Sequence, residues 1–198
     1  RGGEVPALLA GAPRRRRDGS LRALPGDPRD GLRVSPVRLR AVYFAIAAAI
    51  VLLDQATKKM VQAWIPLHDR VVVVPGFFDL THVENTGAAF GLFAGATSPY
   101  RPLLLNGVAF VVFVLVLVYA LKSPVHWKRL QLALAGILGG AVGNLIDRIG
   151  AGAVTDFLRV HVQDRWEWPS FNVADSAITV GVVLLALDIW KNPDGAET

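Results

Sequence analysis

The residues able to do chemistry in this chain are carboxylates, and they stand where carboxylates are least expected. Asp54 follows directly on the apolar run of residues 41–53, with Lys58 one helical turn further on. Asn144, Asp147 and Arg148 close another apolar stretch, Asn172 and Asp175 open a third, and Asp156 lies between them in Val-Thr-Asp-Phe-Leu. A charged side chain at membrane depth costs at least ~2.5–3.5 kcal/mol at a helix centre and less toward the ends, so such residues face a polar interior. Two carboxyl groups held together cannot both ionise readily. They share a proton and titrate as a unit, so that one draws a proton from water while the other polarises the bond under attack.

Other hydrolytic chemistries find little support. There is no cysteine, which excludes disulfides, thiolate metal sites and a cysteine nucleophile. His68, His82, His126 and His161 lack metal-ligand spacing, and Ser98, Ser170 and Ser176 have no Gly-x-Ser-x-Gly setting. No phosphate-binding Walker motif is present. A structural reading of some of the same residues is equally open. Asp54 with Lys58, or Asp147 with Arg148, reads as an ion pair closing the end of a helical bundle, and Asn144 and Asn172 as caps or interhelical bonds. Asp156 and Asp175, by contrast, have no basic neighbour in sequence.

The elements that must position these groups are membrane helices. Hydrophobic residues make up 53% of the 198, with mean hydropathy +0.41, above the ~45–50% apolar share of ordinary soluble domains. Residues 37–56, 103–121, 130–146 and 173–190 are each apolar over close to the ~20 residues that a bilayer requires. No small-residue cleavage site follows the first, so it reads as a span and not as a signal peptide. Gly136, Gly139, Gly140 and Gly143 put the smallest side chains on one face of the third span, where a neighbouring backbone can approach.

The arm before the first span, Lys122, Lys128 and Arg129 between the second and third, and Lys191 after the fourth all carry positive charge. An even number of crossings puts them on one side, which the positive-inside rule makes cytoplasmic, with both termini there. The two outer loops contain strand signals: residues 71–74 and 77–83 around Pro75-Gly76, and residues 154–162 before Gln163-Asp164. Trp64, Trp166 and Trp168 fall where indoles favour the membrane–water interface.

The expected architecture is thus an α-helical integral membrane protein of four transmembrane helices with a small extracytoplasmic β-sheet. A basic arm occupies residues 1–36, the membrane body residues 37–190 with β-containing outer loops at about 66–100 and 149–171, and a short cytoplasmic tail residues 191–198. Ten of the 21 basic residues and four of the 16 acidic ones lie in residues 1–40, so the positive net charge belongs to the arm. Rich in Arg, Gly and Pro and without apolar periodicity, the arm reads as disordered. Beside a membrane segment its arginines point to anionic lipid headgroups or topological bias, not nucleic acid.

Five motif blocks occur in order: Asp54-Gln-Ala-Thr-Lys58, Asn85-Thr-Gly-Ala-Ala-Phe90, Gly139-Gly-Ala-Val-Gly-Asn144-Leu-Ile-Asp147-Arg148, Val154-Thr-Asp156-Phe157 and Phe171-Asn172-Val-Ala-Asp175. Together they closely resemble the motif blocks of the bacterial lipoprotein signal peptidases (signal peptidase II), over roughly residues 37–190. The resemblance implies an inner-membrane aspartic endopeptidase whose catalytic pair, by motif position, is Asp156 and Asp175 near the outer face. It further implies a diacylglyceryl-modified prolipoprotein as substrate, cut just before the lipidated cysteine, with no metal or cofactor. Asn144, Arg148 and Asn172 are expected to orient the pair and stabilise the oxyanion, Asn85 and Asp54 to shape the site or hold substrate, and Lys58, Gly87 and Asp147 to support it. Gly87-Ala-Ala89 beside Phe90 is read evenly as a covering segment or a tight turn. The expected partners are that substrate and membrane lipid, with the enzyme a monomer. The rival reading is a small proton- or cation-coupled transporter or channel subunit using the same aspartates.

Overall fold

Ser35 starts the first helix of the computed structural model, which describes residues 35–87, 100–163 and 165–191. The arm before Ser35, Ala88, Ala89 and Phe90 of the glycine-alanine segment, Ser98, Asp164 and the tail after Lys191 lie outside the described residues. The Ser35 hydroxyl accepts from the Arg38 amide at 3.3 Å and Pro36 takes the first helical position, where its missing N–H costs nothing. The chain then runs α1 (Pro36–Trp64), β1 (Arg70–Val74), β2 (Phe78–Asn85), α2 (Arg101–Lys122), α3 (Lys128–Gly150), β3 (Val154–Val162), β4 (Trp166–Glu167) and α4 (Val173–Lys191). All four helices are long and apolar enough to cross a membrane.

Two helices outrun the apolar stretches that announce them. The first apolar stretch ends at Ala56, yet α1 continues to Trp64. Gln55, Ala56, Lys58, Lys59, Met60, Gln62 and Ala63 favour helix, and the first breaker is Pro66. Likewise α3 runs past Ile146 to Gly150, so Asp147 and Arg148 lie within its last turn. Lys58, Asp147 and Arg148 therefore stand on helix, not on loops.

α3 is the central helix. Of its most apolar stretch 61% is buried, against 6%, 6% and 11% for α1, α2 and α4, whose remaining faces present Val, Leu, Phe and Ile outward as lipid-facing surface. Its glycines explain this position. A methyl group on Gly139 would stand 2.7 Å from the Ala47 carbonyl oxygen of α1, and one on Gly140 would collide with the Ala174 carbonyl of α4. Only a bare backbone allows both neighbours so close. At one end of the bundle Tyr43, Ala47, Ala120, Leu130, Leu134 and Leu138 form a buried cluster. There the Arg40 guanidinium donates to the carbonyls of Leu121 and Ser123, tying the start of α1 to the end of α2.

At the opposite end the strands form one antiparallel sheet in the order β1-β2-β3-β4. Pairing of β2 with β3 joins the two outer loops, and Val61, Ile65 and Phe157 bury the sheet against the end of α1. Asp79, 1% exposed, faces Arg159 across this pairing and accepts from its Nη1 at 2.7 Å. Arg159 Nη2 in turn reaches Glu167 at 2.7 Å, binding β4 to the sheet.

Candidate active site

Asp156 lies on β3 opposite Val83, within the fully buried run Val154–Phe157. Phe171 brings α4 to it. Its carbonyl accepts from Phe157 N–H at 3.0 Å and Leu158 N–H at 2.8 Å, and its own N–H returns a bond to Leu158 at 3.1 Å. The next residue, Asn172, consequently lands beside Asp156 and caps α4, with Asp175 in the first turn. Both aspartates thus sit at the end of the bundle remote from the Arg40 tie, on a strand and a helix locked together by backbone bonds.

Asparagine amides surround the two carboxylates. Asn85 Nδ2 donates to Asp156 Oδ2 at 3.0 Å and Asn172 Nδ2 to Asp156 Oδ1 at 2.8 Å. Asn144 Nδ2 donates to Asp175 Oδ1 at 2.7 Å, and the Asn172 backbone N–H to Asp175 Oδ2 at 3.2 Å. The orientation of each amide is dictated by a group that can only donate. Asn85 Oδ1 accepts from Gly87 N–H (2.8 Å), Asn172 Oδ1 from Asp175 N–H (2.9 Å), and Asn144 Oδ1 from the Lys58 ammonium (3.0 Å). Every NH2 is thereby turned toward a carboxylate. Burial, reinforced by the Asp175 carboxylate, pushes Asp156 up to about 7, outweighing the donors from Asn85 and Asn172 and the charge of Lys58.

Behind the pair lies a buried ion cluster. Lys58 Nζ stands 2.7 Å from Asp54 Oδ2 and 2.7 Å from Asp147 Oδ2, so with Asn144 all three of its protons are engaged. Asp54 Oδ1 accepts from Ala174 N–H at 2.9 Å, presenting a negative charge to the positive end of α4. Gln55 Nε2 donates to Asp147 Oδ1 at 2.8 Å and to the Gly143 carbonyl at 3.1 Å. The ion-pair reading of Asp54 with Lys58 and the supporting reading therefore describe one arrangement. Asp147 turns to Lys58 and not to its neighbour Arg148. Successive helical residues point ~100° apart, and Arg148 lines the groove instead. Gln55 and Thr155, which accepts from Gln62 at 2.8 Å, escaped sequence reasoning. Both stand inside motif blocks, but an uncharged side chain carries no signal in the sequence that singles it out.

The aspartates open onto a groove of about 680 Å³ running down between α2 and α4. Ala109 and Val112 of α2, Ala141 of α3, and Ile178 and Val180 of α4 make its deeper walls apolar. Asn85, Asn144, Arg148, Asp156 and Asp175 gather at its polar end, below Trp168 and Phe171. An apolar slot ending on paired carboxylates suits a substrate with both an acyl and a peptide part.

Comparison with known proteins gives the family. Residues 46–191 match the family model described as signal peptidase (SPase) II. The chain belongs to the signal peptidase II family. A lipoprotein signal peptidase of Syntrophus aciditrophicus is 44% identical over 149 residues, 75% of this chain and 92% of that protein. One from Ectopseudomonas mendocina is 40% identical over 155 residues, 78% and 91% of the two chains. A bacterial membrane enzyme solved in meso at 1.9 Å matches with TM-score 0.69 and 26% identity, over 77% of this chain and 94% of that one. The signal peptidase II chain is thus a membrane-embedded protease of four helices and a small antiparallel sheet, and the transporter reading of its aspartates finds no support.

Proposed function

We propose that this signal peptidase II cleaves diacylglyceryl-modified prolipoproteins on the N-terminal side of the lipidated cysteine, with Asp156 and Asp175 as its catalytic pair. The observation that carries this reading is the convergence of both carboxylates, each held by two donors, at the polar end of an apolar groove. The acyl chains occupy the groove between α2 and α4, entering sideways from the bilayer, and the scissile bond lies over the aspartates.

In this reading Asp156, pushed up to about 7 by burial and by the Asp175 carboxylate, carries the shared proton and Asp175 is the base. Water attacks the scissile carbonyl carbon and passes a proton to Asp175, while Asp156 gives its proton to the carbonyl oxygen. Collapse of the tetrahedral intermediate returns a proton to Asp156, breaks the C–N bond and delivers the Asp175 proton to the leaving amine. No covalent enzyme intermediate forms. Arg148, which lines the groove, offers its guanidinium donors to the developing oxyanion. Asn85, Asn144 and Asn172 hold the pair, Gly87 orients Asn85, and Asp54, Lys58 and Asp147 support them from behind.

The protein lies in the bacterial inner membrane as a monomer, with both termini cytoplasmic and the site near the outer face. Residues 1–36 act as a basic arm on that cytoplasmic side and residues 191–198 as a tail. Basic residues at the Arg40 end of the bundle support this orientation, as does the sheet at the other end. The test is incubation of the purified protein with lipidated and unlipidated forms of one precursor. Cleavage confined to the lipidated form supports the substrate assignment. Equal cleavage of both would remove it.

A further inference from the structure

Of the three asparagines that present NH2 groups to the aspartates, two are oriented by backbone N–H donors and one by a side chain. Asn85 answers to Gly87 N–H and Asn172 to Asp175 N–H, whereas Asn144 answers to Lys58 Nζ at 3.0 Å. Asn172 Nδ2 also approaches Asn144 Oδ1, at 3.2 Å. That NH2 must additionally serve Asp156 Oδ1 at 2.8 Å and the Thr155 carbonyl at 3.4 Å, so its two protons are divided among three acceptors. It cannot hold Asn144 alone. Without the ammonium, Asn144 is free to turn its carbonyl toward Asp175, replacing a hydrogen bond by the approach of two acceptors.

We propose that Lys58 is a positioning residue of the reaction, fixing the Asn144 amide so that its NH2 faces Asp175 and setting a buried positive charge behind both aspartates. This rests on the reading of Asp156 and Asp175 as the catalytic pair. The burial of Lys58 supports the assignment. It is 1% exposed, Asp54 is 0% and Asn144 is 5%, so these side chains and not bulk solvent hold the ammonium at Asn144 Oδ1. The charged groups facing the pair and the cluster are Asp54 and Lys58 from α1, Asp147 and Arg148 from α3, Asp156 from β3 and Asp175 from α4. Lys58 is the one cation among them with its charge fixed by three contacts. Its field lowers the affinity of Asp156 for its proton.

The experiment measures kcat, KM, pH–rate profile and thermal melting for Lys58→Met and for Lys58→Met/Asp147→Asn. The double variant removes one positive and one negative charge together, leaving Asp54 on the α4 backbone and on Gln55. It keeps the proposal testable if the single variant fails to fold. The double variant is expected to melt close to wild type while kcat falls on the order of 10²-fold, with KM changed by no more than about threefold. In a folded Lys58→Met, the limb at which activity falls with rising pH moves to higher pH, because Asp156 has lost a stabilising charge for its ionised form.

A double variant that folds and turns over at the wild-type rate would overturn the proposal. So would a loss of activity that merely tracks the unfolded fraction. Activity surviving in a folded Asp156→Asn or Asp175→Asn variant would instead refute the catalytic pair itself, a result these Lys58 variants cannot mimic.

Discussion

Asn172 and Asp175 exchange hydrogen bonds across the first turn of α4: the Asn172 backbone N–H donates to Asp175 Oδ2 at 3.2 Å, and Asp175 N–H donates to Asn172 Oδ1 at 2.9 Å. This is a capping box in which the acidic partner doubles as a candidate base. Helix start and site geometry therefore depend on the same two side chains. Among the described residues Asn172 alone hydrogen-bonds to both aspartates, through its backbone to Asp175 and its amide to Asp156.

Asn172→Ala is expected to lose the cap, at a cost of about 1–2 kcal/mol, together with most activity. Asn172→Ser keeps a capping oxygen but has no NH2 for Asp156. It should recover much of the melting temperature and little of the turnover. Parallel recovery of both would show that the residue serves only as a cap.

The proton on Asp156 gives a pH test with a definite sign. Its pKa in the folded protein, about 7, lies above the ordinary carboxylate value of 3.8, so folding favours the protonated form. That contribution is fully present below the ordinary value and is lost as pH rises through about 7. Asp156→Asn should therefore melt with wild type near pH 4 and above it at pH 8. Wild-type turnover should fall as pH rises beyond about 7, where the shared proton is lost. A difference in melting that is the same at both pH values would contradict the assignment.

Close approach of α3 and α4 predicts the effect of adding a side chain between them. A Cβ on Gly140 would meet the Ala174 carbonyl, and also Ile178 Cγ1 at 2.7 Å. A backbone carbonyl cannot swing aside, so Gly140→Val should cost about 1–3 kcal/mol and lower kcat by displacing the end of α4 that carries Asp175. Gly150→Ala, with nothing within 4 Å of the new atom, is the control and should melt as wild type.

Filling the groove should separate binding from chemistry. Ala109→Phe adds a ring on the α2 wall of the groove. A rise in KM on the order of tenfold with little change in melting is expected, read from initial rates on the lipidated precursor. An unchanged KM would show that the acyl chains lie elsewhere.

Much of this arrangement is legible in the residues, and the parts that are not have physical reasons. Apolar runs reveal the four spans because bilayer thickness sets their length. They miss the true end of α1 because helix propensity continues through Gln55–Ala63 after hydrophobicity stops. Asp54 and Lys58 are readable as a pair from their four-residue spacing. That Asp147 also reaches Lys58 is not, because their approach depends on how α1 crosses α3, and the adjacency of Asp147 and Arg148 points to the wrong partner. The cross-strand pair Asp79–Arg159 is similarly silent. Its members lie on separate loops, and only the register of β2 on β3 brings them opposite. β1 is readable from its valines alone, since all five residues are exposed and no alternation marks a buried face.

The central claim is that Asp156 and Asp175 together perform the cleavage. The most direct measurement follows a diacylglyceryl-modified precursor on a gel with wild type, Asp156→Asn and Asp175→Asn, each shown by thermal melting to be folded. Cleavage by wild type and a loss of at least about 10³-fold in both variants is the expected result. Either folded variant cutting within a few-fold of wild type would contradict the pair.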